Sequence, residues 1–238
     1  MRRTILWGVL LFLGFAVAFA PAGLLRVALD QIDGVTLTDP TGTIWHGRGQ
    51  ILLQGNSLGR LDWDIHPSGL LTGALSFDFE LVDPGHTLTG LASLGISRTF
   101  ALQVSGRMSA DLVNRFLAPY DMMISGELSL TDAALTLSGG AAKSAGGSIA
   151  WSGGRVRYTL SGRTLTSELP PMVAYLGERA EATVFEQNGQ TPLIRAELME
   201  NGFAKIGITK LLTKLLDNPW PGANPDHAVV LEVEEQIF

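Results

Sequence analysis

The chain contains no cysteine, which excludes disulfide cross-links, thiolate metal sites and a cysteine nucleophile, so packing and backbone hydrogen bonding must hold the fold together. Charged residues make up only 17% of the sequence and acids outnumber bases, for a formal net charge of −6. That balance lacks the basic footprint of a nucleic-acid-binding protein. The four histidines, His46, His66, His86 and His227, show no H-E-x-x-H or other paired ligand spacing. No glycine-rich segment sits at a strand-to-helix turn, the context that a phosphate-binding loop needs. Neither a metal nor another cofactor is expected. Aromatics are 8% of the residues, too few for the two girdles of an outer-membrane barrel, although the chain ends in Phe238 as many barrel strands do.

Against this sparse background stands one long apolar run, from Ile5 to Leu25, preceded by Arg2 and Arg3. About twenty apolar residues span a bilayer's hydrocarbon core as a helix, and flanking arginines stay on the cytoplasmic side. Residues 1–25 therefore read as a cytoplasmic tip and transmembrane signal-anchor, with Leu6, Leu10, Leu13 and Val17 on the apolar helix. Gly14 and Ala18 form a small-xxx-small pair of the kind that seats another helix. Ala18-Phe19-Ala20 has the form that signal peptidase accepts, but Pro21 would follow the cut and fit a protease cleft poorly. The run continues past Pro21, and the anchor reads as uncleaved. Residues 26–33 form a short exit segment.

Residues 34–238 read as one β-rich domain. Leu61, Trp63 and Ile65 alternate with Asp62, Asp64 and His66, and Leu75, Phe77, Phe79 and Leu81 with Ser76, Asp78 and Glu80. Period-two alternation broken by Gly, Pro, Asn and Asp predicts antiparallel strands with one buried and one wet face. No helical crossovers intervene, so the expected fold class is mainly β: a curled antiparallel sheet, sandwich or half-barrel with two short helices. The Gly- and Ala-rich stretch 139–147 reads as a mobile loop and a candidate seam. Ser109 is placed to cap the first helix, with Leu112, Val113, Phe116 and Leu117 on one face. The second helix is predicted from about Lys205 to Asp217, with Ile208, Leu211, Leu212, Leu215 and Leu216 as a stripe that lids the sheet or meets a partner.

Gly55-Asn56-Ser57-Leu58-Gly59 matches the G-x-S-x-G pattern of a hydrolase elbow, but an alternating strand follows it where a helix is required. A turn between strands accounts for those residues. Asp62 and Asp64 share the wet face of a strand, the ordinary place for solvated acids. No constellation of residues points to an enzyme.

Gly42-Thr43-Ile44-Trp45-His46-Gly47, followed by the strand carrying Trp63 and Pro67 and by Leu70-Leu71-Thr72-Gly73, resembles the hallmark of the type II secretion system protein N family. The stretch Gly147 to Gly154, with Trp151, faintly echoes the first motif. The resemblance implies a non-enzymatic accessory component of a protein secretion machine. It would be a single-pass protein of the Gram-negative inner membrane, with its N-terminus cytoplasmic and its β-domain periplasmic, and would touch other secretion-machine proteins. Physically the motif residues read as scaffold, with Trp45 and Trp63 contributing large buried rings. The alternative is a periplasmic lipid-transfer protein of AsmA-like type, with lipid held in an apolar groove.

Overall fold

A computed structural model describes residues 2–30, 34–160, 162–199 and 201–236. The apolar N-terminal run does not fold as one helix through Leu25. Helix α1 covers Arg2–Ala18 and helix α2 covers Gly23–Leu29. Between them Pro21 supplies no N–H for a continuing helix, and the Ala20 carbonyl and the Ala22 N–H bond to Ile44 and Gly42 instead. Among the described residues, no helix is long and apolar enough to cross a membrane.

The chain divides into two compact units, Met1–Asp83 and Pro84–Phe238. In the first, strands β1 (Val35–Gly42), β2 (His46–Leu53), β3 (Asn56–His66) and β4 (Ala74–Asp83) pair antiparallel in chain order. The alternation works as read: Trp63 and Ile65 are buried, opposite Phe79 and Phe77 of β4. Helix α2 lies against β1, and Ala22, Leu25 and Leu29 join Leu37, Trp63 and Ile65 in one core. Gln54 and Gly55 turn β2 into β3, and Ser57 is the second residue of that strand. The G-x-S-x-G match is thus a hairpin, where the Gly59 N–H donates to the Ser57 hydroxyl (3.3 Å). Pro67 ends β3 and opens a 3-10 turn, Pro67–Thr72, from which Gly73 leads into β4.

The second unit begins with β5 (His86–Gly95) and β6 (Thr99–Ser109), then helix α3 (Ala110–Leu117) and the two-residue β7 (Met123–Ile124). There follow β8 (Glu127–Ser138), β9 (Ala141–Trp151), β10 (Gly154–Leu160) and β11 (Arg163–Leu169). The rest comprises β12 (Met172–Gly177), β13 (Glu181–Glu186), β14 (Pro192–Leu198), β15 (Phe203–Thr209), helix α4 (Lys210–Leu215) and β16 (Val229–Gln236). Strands β5, β6, β8, β9 and β12 to β16 are neighbours in that order in one sheet, while β11, β10 and β7 form another. Val156 and Leu169 of the small sheet meet Met172, Leu193 and Leu212 in a shared core. Asn114 of α3 holds β7 by a reciprocal pair of bonds: its Nδ2 donates to the Ile124 carbonyl and its Oδ1 accepts from the Ile124 N–H, both at 2.8 Å. Fold class is therefore mainly β, antiparallel, with a few short helices.

Three local expectations change. The stretch 139–147 is not a loop. Gly139 and Gly140 (φ 60° and 85°) form the two-residue turn that hairpins favour, and β9 starts at Ala141. The helix expected from Lys205 begins only at Lys210, because Phe203–Thr209 is a strand. The helical spacing of Ile208 with Leu211 and Leu212 is coincidental, and Gly207 with the β-branched Ile206, Ile208 and Thr209 suits a strand better. Ser109 occupies the N-cap position of α3, but its side chain makes no capping bond.

Candidate functional site

The hairpin between β1 and β2, Gly42 to Gly47, grips the chain that leaves α1. Thr43 shapes it, because its N–H donates to the His46 carbonyl (2.9 Å) while its hydroxyl accepts from the N–H groups of Trp45 (3.2 Å) and His46 (3.1 Å). A Thr hydroxyl that takes up nearby N–H groups competes with regular structure and fixes a turn. Three bonds then run to the N-terminal segment: the Trp45 indole N–H donates to the Val17 carbonyl (2.9 Å), the Ile44 N–H to the Ala20 carbonyl (2.9 Å), and the Ala22 N–H to the Gly42 carbonyl (3.1 Å). Pro21 and Thr43 form an isolated antiparallel bridge. Helix ends leave carbonyls without intrahelical partners, and Trp45 takes up one of those at the end of α1. Ala20 and Ala22 are buried.

Trp63 closes the clasp from beneath. Its indole N–H donates to the Ile44 carbonyl (3.2 Å), and the Ile65 N–H donates to the Trp45 carbonyl (2.6 Å). Gly47 makes room for this ring, since a Cβ there would lie 2.5 Å from Trp63 Cζ2 and 2.6 Å from the Thr41 carbonyl. Trp63 is a core residue; Trp45 lies on the turn, is half-buried, and acts through its N–H.

Sequence reasoning grouped Gly42, Thr43, Trp45, Gly47 and Trp63, and the structure brings these five together. Pro67 and Gly73 flank the 3-10 turn instead, and the side chains of Leu70 and Leu71 lie outside the described residues. On α1, Leu13, Gly14, Val17 and Ala18 are exposed, while the side chains of Arg2, Arg3, Leu6 and Leu10 lie outside the described residues. Leu212 is a core residue of the second unit and Ile208, Leu211, Leu215 and Leu216 pack around it. The three lysines near that stripe are committed elsewhere. Lys205 pairs with Glu232 (2.9 Å), Lys214 pairs with Asp226, and the buried Lys210 donates to the carbonyls of Gly222 and Asn224. What the sequence did not reveal is that residues 17–22 are the partner of the motif. Pro21 was the one available signal.

The acids of β3 are paired. Asp64 lies 2.9 Å from His46 Nδ1, and Asp62 lies by Arg60 (2.8 Å) and Arg48 (3.6 Å). On the same face His66 bonds Asp78 (2.7 Å), and that hydrogen bond, foremost, raises the His66 pKa above its ordinary 6.5. His86 is buried at the start of β5. Among the described residues, no group of three or more His, Asp or Glu side chains is arranged to hold a metal ion. The arrangement built around Trp45 fastens one chain segment to another and carries no nucleophile with a paired base.

The chain is 29% identical over 160 residues to the type II secretion system protein N of Vibrio cholerae serotype O1, a match that covers 64% of this chain and 64% of that relative's length. No solved structure matches it. The profile of the family described as type II secretion system (T2SS), protein N, matches residues 33–214, a span that contains the hairpin, both of its tryptophans and most of the second unit. The chain belongs to the type II secretion system protein N family.

Proposed function

We propose that this chain is a non-enzymatic accessory component of the secretion machine, tethered to the inner membrane by α1 and acting on the periplasmic side through contacts with other secretion-machine proteins. The observation that carries the reading is the clasp: residues 17–22 are built into the first unit, so cleavage after Ala20 would cut a segment whose backbone is bonded to Gly42, Ile44 and Trp45. Helix α1 supports the tether. Its Trp7, Leu11, Phe12 and Phe15 are between 66% and 73% exposed, on a 17-residue helix with no acid. Apolar side chains around a whole helix call for an apolar medium. Arg2 and Arg3 then stay cytoplasmic. The test is complementation of a deletion strain with the intact chain and with a chain whose residues 2–16 are exchanged for a cleavable signal sequence. Export of folded enzymes should return with the first only; equal rescue by the released form would rule out the tether.

A lipid-handling role is the second reading, and one feature of the second unit favours it. Cross-strand register places Leu102, Leu135 and Ala145 in one row, and Phe100, Leu137 and Ala142 in the next, on a single face of β6, β8 and β9. Gln103, Ser105, Thr136 and Ser144 occupy the opposite face. The buried cluster of this unit sits at β10, β11, β12, β14 and α4, and the apolar rows of β6 and β8 are not part of it. Half-covered apolar rows of this kind suit acyl chains. Phospholipid found by mass spectrometry after purification in mild detergent would support the reading, and a lipid-free protein would remove it.

A further inference from the structure

We propose that β16 is a docking edge that takes up an extended basic strand from a partner protein by β-addition. Strand β16 ends the order of its sheet. It pairs with β15 from Phe203 opposite Gln236 to Thr209 opposite Val229, and among the described residues no strand pairs with its other side. An edge strand presents unpaired N–H and C=O groups, which proteins blunt with proline, lysine, bulges or a covering helix. Strand β1 shows such blunting: it contains Pro40, Asp39 has φ 50°, its register shifts between Thr38 and Thr41, and α2 lies against it. In the eight residues of β16 there is no proline, glycine, lysine or arginine, and the register is regular up to Ile208 opposite Leu231.

The side chains of β16 select the occupant. Leu231 and Val233 are 40% and 43% exposed on one face; Glu232 and Glu234 are exposed on the other, and the register shift at Thr209 puts Val229 on the side of Glu232. Lys205 pairs with Glu232, and Tyr120 donates to Glu235 (3.2 Å), so these contacts do not neutralise the three carboxylates of the strand. An incoming strand gains most by placing apolar side chains beside Leu231 and Val233 and cations beside Glu232 and Glu234, because opposite charges across a ladder stabilise and like charges oppose. A second copy fits poorly. The two longest antiparallel registers that keep the apolar side chains on one face put Glu232 opposite Glu232, or Glu232 opposite Glu234. The strand to be captured is therefore an extended segment alternating Lys or Arg with apolar residues, held by main-chain bonds and sorted by charge.

The test uses the full chain in nonionic detergent and three synthetic peptides of the length of β16: one alternating Lys and Val, one alternating Glu and Val, and a Lys–Val peptide N-methylated along one backbone edge. The Lys–Val peptide should shift the amide resonances of β16 and bind about tenfold or more tightly than the Glu–Val peptide, a factor that roughly 1.4 kcal/mol supplies. N-methylation should abolish binding, because it removes donors while keeping every side chain, and Glu234→Lys should reverse the preference between the two unmodified peptides. Equal binding of the N-methylated peptide, shifts that avoid β16, no binding, or concentration-dependent pairing of two copies through β16 would each overturn the proposal.

Discussion

In the unit Met1–Asp83 the apolar face of the sheet is closed from the N-terminal side, by Ala22, Leu25 and Leu29. In the unit Pro84–Phe238 it is closed by residues far along the chain, from β10, β11 and α4, around Leu193 and Leu212. Both units follow the same period-two rule, and the first adds to its core the segment that leaves α1. The N-terminal segment and the sheet are one construction there, and the buried cluster described for the second unit is drawn from β10, β11, β12, β14 and α4. The tryptophans repeat the contrast. Trp45 and Trp151 each donate an indole N–H to a backbone carbonyl, but Trp45 reaches Val17 at the end of α1 and Trp151 reaches Ser125 beside its own sheet (2.8 Å).

The largest effects should come from Leu37 and Leu193, both fully buried. Either one changed to Ala should cost about 2–5 kcal/mol through lost burial and a residual cavity. Hydrogen exchange should place the first loss of protection in β1 and α2 for Leu37→Ala, and in β12, β14 and α4 for Leu193→Ala. Matching patterns from the two variants would erase the distinction between the cores.

Glycine substitutions give the next contrast. Gly47→Ala drives a Cβ into Trp63 and the Thr41 carbonyl, whereas a Cβ at Gly140 meets nothing within 4 Å and suffers only from the φ of 85°. Overpacking should cost the first variant about 1–3 kcal/mol, and the left-handed backbone should cost the second about 1–2 kcal/mol. Near-ultraviolet circular dichroism should report a disturbed tryptophan environment in Gly47→Ala alone, and the denaturation midpoints should follow the same order.

Trp45→Phe and Trp151→Phe each remove one indole hydrogen bond and keep most of a ring, for about 1 kcal/mol. Only the Trp45 variant should loosen the junction at residues 17–22, seen as faster proteolysis there.

The smallest effect is a pH dependence. The bond to Asp78 raises the His66 pKa in the folded chain, so its stabilisation is fully present below about pH 6.5 and disappears as the pH climbs through the raised value. The pair is exposed and screened, which keeps the gain small. An NMR titration should show His66 titrating above 6.5, and Asp78→Asn should bring it back.

The strands were legible because their buried and wet residues differ in chemistry at every second position, as Trp63 and Ile65 do from Asp62 and Asp64. Residues 17–22 were not, because Val, Ala and Pro look alike whether they face lipid or a protein core, and their decisive partners are backbone groups. Strand β9 was hidden by composition: Ala141 to Gly147 offers almost no apolar period, and its register comes from β8, with Thr136 opposite Ser144 and Leu135 opposite Ala145. At 203–209 the sequence misled, since Ile208 continues a helical stripe by accident. The motif itself was readable as scaffold, but the segment it grips was not.

The clasp is tested most directly by amide hydrogen exchange at Ile44, whose N–H is bonded to the Ala20 carbonyl. The intact chain should protect this amide, and a chain beginning at Pro21 should lose that protection while the amide of Ile194, in β14, keeps its own. An Ile44 amide equally protected in both chains would contradict the account.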